Sequence, residues 1–212
     1  MKAMLTLARA KQNRTRIRQG FTLVEILMVL AVIGVLAAIA LTILPVAKDR
    51  SLRSRAEAQL RQIEAAIEAY HAKHGLYPPD NPSGNTAVHQ LFYELTGVLW
   101  DGSRFTDIHQ QPIDMGKLGV GGIVHTAKPG QTIRSFFGDT IPETVDIGGV
   151  KLLKTPGEWP QGFGTPPVPS HPTINVWRYK STNPDHNKNS YDLWAELVIR
   201  GKVVRISNWE RR

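Results

Sequence analysis

The chain has 212 residues, 42% of them hydrophobic, with a net charge of +8 and no cysteine. The absence of cysteine excludes a disulfide framework and a thiolate metal site, so an exported domain would have to hold together by packing alone. The charge does not call for a nucleic-acid partner, because Lys2, Arg9, Lys11, Arg14, Arg16 and Arg18 stand without an acid in residues 1–20, and the remainder carries 20 basic against 18 acidic residues.

Residues 1–20 therefore read as a basic leader. From Phe21 to Leu44 the chain is apolar, with Glu25 its one ionisable residue. At ~1.5 Å per residue this run makes ~36 Å of helix, enough to cross a hydrocarbon core of ~30 Å, so residues 21–45 are predicted to span a membrane. The Lys and Arg excess on the amino side orients the span with its N-terminus in the cytoplasm. An acid at the middle of such a span costs ~2.5–3.5 kcal/mol, which makes Glu25 a candidate functional residue. A cleaved secretory signal would use Ala38-Ile39-Ala40, but its leader would be unusually long and its apolar core would contain Glu25.

Pro45 removes one backbone donor and predicts a bend, and no further proline or glycine follows until Gly75. Leu52, Ala56, Leu60, Ile63, Ile67 and Tyr70 recur at helical spacing, while Arg53, Glu57, Arg61, Glu64 and Glu68 occupy the other face. Residues 46–75 thus read as the amphipathic continuation of one long helix, closed at Gly75. Residues 76–172 are rich in proline and glycine and read as a variable insert. Within it Thr86–Leu99 predicts a short helix, and 122–126 and 132–137 predict short strands. Residues 173–212 recover alternation. A strand is predicted over 174–180, and 191–199 with 202–208 read as a hairpin about Arg200-Gly201. The expected fold class is α+β: a long N-terminal helix laid on a small antiparallel sheet.

Gly20-Phe21-Thr22-Leu23-Val24-Glu25, the basic leader before it, Gly34 and Pro45 together resemble the type IV pilin and pseudopilin superfamily. Tyr70, Gly75-Leu76-Tyr77-Pro78, Tyr191-Asp192-Leu193-Trp194 and Ile206-Ser207-Asn208-Trp209 are most similar to the major pseudopilin of type II secretion. The resemblance implies a prepilin peptidase that cuts between Gly20 and Phe21 and methylates the new amino group of Phe21. It implies assembly with copies of itself through the apolar helix, Glu25 pairing with the amino group of a neighbouring subunit. It also implies an inner-membrane assembly platform as partner. The chain would sit in the bacterial inner membrane, surrounded by lipid and with its C-terminal domain in the periplasm, before joining a periplasmic or extracellular filament.

The stretch 181–192 offers Asn183, Asp185, Asn187, Asn189 and Asp192 as oxygen donors, and related pseudopilins bind calcium in their last loop. Here Val198-Ile199-Arg200-Gly201 stands where the family carries an aspartate, so the loop reads as a turn-rich solvated connection, with calcium the lesser expectation. His71 and His74 are three apart but lack a third ligand in register, and read as exposed residues favoured near a helix C-terminus. The five tryptophans read as packing residues. No hydrolase, zincin or phosphate-loop motif occurs, so no catalytic site and no cofactor is expected. Three classes follow: a filament subunit, a signal-anchored periplasmic binding or enzymatic domain that keeps residues 1–20, and a minor tip pilin acting as an adhesin through its insert.

Overall fold

The computed structural model describes residues 21–210, with the side chains of 40–45 outside the description. The leader, including Gly20, therefore lies outside the described residues. Two compact units are present, Met1–Val46 and Ala47–Arg212. One helix, α1 (Leu23–His74), contributes to both. In the first unit its apolar side chains from Phe21 to Ile39 are all exposed. Among the described residues no helix is long and apolar enough to cross a membrane. The predicted span of 21–45 extends over 40–45, as does the expected bend at Pro45, and the described apolar side chains end short of both.

In the second unit, the stripe expected from the spacing of α1 is the buried one. Ala56, Leu60, Ile63, Ile67 and Tyr70 are buried and Leu52 packs beside them, whereas Arg53, Arg61 and Glu68 face solvent. Half-buried glutamine contacts fix the helix further, since Gln59 donates to Lys154 O (3.0 Å) and accepts from Trp177 Nε1 (2.9 Å). The helix ends where Gly75 N donates to His71 O (2.8 Å) with Gly75 at φ 75°, the left-handed cap that the sequence placed there.

The segment after the helix is less regular than its length suggests. It contains α2 (Leu91–Thr96), β1 (Val98–Trp100), β2 (Phe105–Thr106), α3 (Met115–Leu118), β3 (Thr126–Ala127), β4 (Thr144–Asp146) and β5 (Lys151–Leu153). β1 pairs antiparallel with β2 and parallel with β3, and β4–β5 is an antiparallel hairpin. The helix predicted over 86–99 shrinks to α2, with Leu91, Phe92 and Leu95 buried as their spacing requires. No strand forms over 132–137. That stretch is held by Phe136, whose N donates to Leu95 O (2.8 Å) and whose ring lies 5.5 Å from Tyr70. Leu91, Tyr93, Val98, Leu118, Leu152 and Leu153 join the same buried cluster as the α1 stripe.

The C-terminal sheet is β6 (Arg178–Lys180), β7 (Asp192–Ile199) and β8 (Lys202–Ser207), antiparallel in that order. The strand predicted over 174–180 divides because it changes partner. Asn175 O accepts from Thr155 N and Trp177 N donates to Leu153 O, and only from Arg178 does pairing with β7 begin. The β7–β8 hairpin is as expected: Ile199 pairs with Lys202, and Arg200 and Gly201 both have positive φ (52° and 69°), the geometry of a two-residue turn matched to strand twist. Leu193, Ala195, Leu197 and Ile206 turn inward to the buried cluster.

Candidate processing and assembly site

The residues singled out by the sequence converge at the start of α1. Phe21 is 83% exposed and precedes the helix. Thr22 is the N-cap: its carbonyl accepts the first helical bond, from Ile26 N (3.2 Å). Its hydroxyl accepts from Glu25 N (3.2 Å), while Glu25 Oε2 accepts from both Thr22 N and Thr22 Oγ1 (2.9 Å each). This is a reciprocal capping box, in which two otherwise orphaned backbone donors at the helix start are satisfied. A carboxylate there also meets the positive end of the helix dipole. Glu25 is thus not a bare charge on an apolar helix. It is held by Thr22, in a position one turn from Phe21.

Thr22 escaped the reading of the motif, although its signal was local. A Thr followed three residues later by Glu before an apolar run is the sequence form of a capping box. Chemically, the arrangement leaves the carboxylate with accepting capacity to spare, since Glu25 Oε1 makes no hydrogen bond among the described residues. Nothing in this geometry performs a bond-making step.

The other candidates separate. In the 181–192 loop, Asp192 is buried, and its two oxygens accept from Asp185 N (2.8 Å), His186 N (2.9 Å) and Asn187 N (2.9 Å), with His186 Nδ1 at 3.1 Å. Burial alone would raise its pKa, but these N–H groups outweigh it and hold the carboxyl below its usual value. Asp185 is paired with Lys180 (2.9 Å). The buried carboxylate of this donor set is the anion that organises the loop's amides. Among the described residues no group of three or more His, Asp or Glu could hold a metal ion.

His71 stacks on Tyr77 with ring centroids 4.2 Å apart. His74 differs from its expectation as an exposed residue. It lies against Tyr70 (4.4 Å), His125 (5.6 Å) and Phe136 (5.9 Å), and its Nε2 is buried without a partner. Burial, then the neighbouring Lys73, lowers its pKa. Trp159 and Trp177 are buried, as packing residues should be, whereas Trp194 and Trp209 meet edge to face at 5.6 Å and are only half-buried.

The prokaryotic N-terminal methylation motif matches residues 15–41, which include Gly20, Phe21, Thr22 and Glu25. The chain is 35% identical over 71 residues to a type IV major pilin protein, PilE1, of Neisseria gonorrhoeae, covering 32% of each chain. It is 34% identical over 75 residues to a fimbrial protein of Neisseria meningitidis serogroup B, covering 34% of this chain and 42% of the relative. With the fimbrial protein EcpC of Eikenella corrodens it shares 36% identity over 73 residues, 48% of that relative. The chain thus spans about a third to a half of the length of the curated relatives it matches. No solved structure matches.

Proposed function

We infer that this chain, which belongs to the type IV pilin and pseudopilin superfamily, is a structural subunit of a pilus-type filament and not an enzyme. The observation that carries the reading is the placement of Phe21, Thr22 and Glu25 at the head of an exposed apolar helix, within the matched methylation motif. Exposed apolar side chains from Phe21 to Ile39 need cover, first from lipid and then from neighbouring copies. Residues 21–45 anchor the chain in the inner membrane with the C-terminal domain outside. Prepilin peptidase cuts after Gly20 and Phe21 becomes the methylated N-terminus, which removes six cations and frees the helix to leave the bilayer through the assembly platform. Glu25 then pairs with the amino group of an adjacent copy, because a carboxylate in an apolar filament core is heavily penalised unless paired, and that penalty sets the stagger between subunits.

A secretion pseudopilus is the second reading, and a specific contact favours it. Two of the segments that resemble the major pseudopilin of type II secretion meet: the Tyr77 ring lies 5.1 Å from Tyr191.

Mass spectrometry of the mature protein tests the reading directly. The expected N-terminus is N-methylated Phe21, and a mature chain that keeps residues 1–20 would sink the filament assignment. Glu25→Ala is expected to leave cleavage intact and abolish filament formation; normal filaments from that variant would remove Glu25 from assembly.

A further inference from the structure

A buried histidine ordinarily spends both ring nitrogens, as polar atoms out of water must. His89 does so, with Nε2 3.1 Å from Trp177 O and Nδ1 3.4 Å from Leu91 N. His125 does not. It is 3% exposed, and its Nδ1 lies 3.0 Å from Glu94 O, an atom that can only accept. In the neutral ring the proton therefore sits on Nδ1, which leaves Nε2 as a lone pair, buried and without a partner. One nitrogen donating to a backbone carbonyl and the other left bare is the arrangement that orients an imidazole towards a metal ion.

A second such nitrogen stands beside it. His74, the last residue of α1, is half-buried, its Nε2 is likewise buried without a partner, and its ring centre is 5.6 Å from that of His125. A metal–nitrogen bond of ~2.0 Å and ~1.2 Å from ring centre to nitrogen let two imidazoles share an ion at centre separations up to ~6.4 Å. The observed 5.6 Å falls inside that limit and corresponds to an angle of ~120° at the ion. The surroundings are aromatic: Tyr70 lies 4.4 Å from His74, and Phe136 lies 4.7 Å from His125 and 5.9 Å from His74. A water bridging the two nitrogens would donate to both and leave its own lone pairs unmatched among these rings. Zinc calls for four ligands, and among the described residues no third His, Asp or Glu joins the pair. Cuprous copper needs no such shell, since this d10 ion takes as few as two or three ligands and imidazole suits it. Nearby charge is balanced. Lys73, with Nζ 5.3 Å from the Phe136 ring centre, opposes a cation, and the buried Glu94 carboxylate, which accepts from His125 N (3.1 Å), favours one.

We propose that His74 Nε2 and His125 Nε2 together bind one cuprous ion. The ion clips the end of α1 to the segment leading into β3, and it stabilises the second unit because the two nitrogens are brought together only in the folded chain. The site lies wholly within the second unit and uses no part of the filament reading, so either can fail without the other.

The test titrates cuprous ion anaerobically into the full chain in detergent micelles, in competition with the chromogenic chelator bicinchoninate. The wild type is expected to hold one equivalent that His74→Gln and His125→Asn each lose, the Asn amide keeping a donor for Glu94 O. No cysteine competes, and the four methionines are common to all variants, so binding to thioethers cancels from the comparison. His71→Gln, which removes the ring stacked on Tyr77 one turn earlier, should keep the equivalent. X-ray absorption of the bound ion should show two imidazole nitrogens, and the ion should raise the melting temperature of the wild type but not of His74→Gln. If His125→Asn misfolds, His74→Gln decides alone, since the His74 ring makes no hydrogen bond among the described residues. A wild type that holds no equivalent, or a folded His74→Gln that retains it, overturns the site and leaves the two nitrogens to water. Loss of the equivalent in His71→Gln overturns it as well, by assigning the ion to His71 and His74 on the helix surface.

Discussion

Two carboxylates, one near each end of the same helix, are held in opposite ways. Glu25 at the start of α1 is exposed and bound by Thr22, three residues away. Glu94, packed against the helix end, is fully buried, and accepts from Tyr70 Oη (2.9 Å), Val124 N (3.0 Å) and His125 N (3.1 Å), donors 24 to 31 residues distant. The first arrangement belongs to a short motif and serves interactions outside the chain. The second exists only when the fold does, and it ties α1, α2 and the segment leading into β3 together. Burial raises the pKa of Glu94 despite three donors that favour its charged form, as expected for a charge deep in a core.

The sharpest way to test that contrast is to delete each acid. Glu94→Ala strands two backbone N–H groups and a tyrosine hydroxyl in the interior, and should cost roughly 3–5 kcal/mol in chemical denaturation of the chain. Glu94→Gln, which keeps an accepting oxygen, should cost clearly less. Glu25→Ala should leave the melting of the second unit unchanged while removing assembly. Equal destabilisation by the two Ala variants would mean that Glu25 has a structural role in the domain, and the contrast would fail.

Acid pH probes the same buried layer through its histidines. His89 is buried, with Nε2 3.1 Å from Trp177 O and Nδ1 3.4 Å from Leu91 N. Both nitrogens are therefore used in the neutral ring, Nε2 as donor and Nδ1 as acceptor. Burial pushes its pKa down from 6.5 to about 4. Because the folded value lies below the unfolded one, the unfolded chain takes up the proton first. The stabilising contribution is complete above pH 6.5 and is lost as pH falls towards 4, a change of ~3 kcal/mol for this group. His125, also lowered to about 4 chiefly by burial, works in the same direction. Melting temperature should fall steeply between about pH 6.5 and 4, and His89→Gln should flatten that slope. A flat profile in the wild type would place His89 in a more open environment than the structure does.

What could be read from the sequence follows the same division between local and distant partners. The α1 stripe, the Gly75 cap, the β7–β8 hairpin and the Phe21–Glu25 motif all depend on residues within one or two turns, or on a two-residue loop, and each was legible. The break of the 174–180 strand was not, because it is caused by β5, more than twenty residues earlier, competing with β7 for the same backbone. Nor was the loss of the strand at 132–137, where Phe136 is recruited by Tyr70 and Leu95. His74 was misread for the same reason: its helix position says exposed, and only His125 and Phe136, folded over it, make it half-buried. Thr22 is the exception, a local signal in plain view that was absorbed into the processing motif.

A third test concerns a site where a distant-looking ligand set turned out to be a local one. The oxygen-rich loop 181–192 invites a cation, but Asp192 spends its oxygens on the amides of Asp185, His186 and Asn187. Removing the carboxylate with Asp192→Ala should lower stability by roughly 2–3 kcal/mol through those stranded donors. Calcium added to the wild type should produce neither heat in titration nor a shift in melting temperature. A calcium-dependent stabilisation would show that the loop reorganises around a metal, and that the amide cluster is one of two states.

The smallest effect expected is the one that isolates the cap from everything else. Thr22→Ala removes the hydroxyl that accepts from Glu25 N and donates to Glu25 Oε2, while leaving the Thr22 N to Glu25 Oε2 bond in place. The loss should amount to ~1 kcal/mol at the helix start. It should appear as faster amide exchange at residues 24–26, with no change in the melting of the second unit, since among the described residues no hydrogen bond of Thr22 reaches beyond the first turn. Its consequence for assembly separates two roles of Glu25. If the carboxylate must be pre-positioned one turn from Phe21 to meet a neighbour's amino group, Thr22→Ala should slow filament growth although Glu25 is present. If Glu25 acts only by its charge, growth should proceed at the wild-type rate despite the frayed cap, and Thr22 would be a helix cap and nothing more.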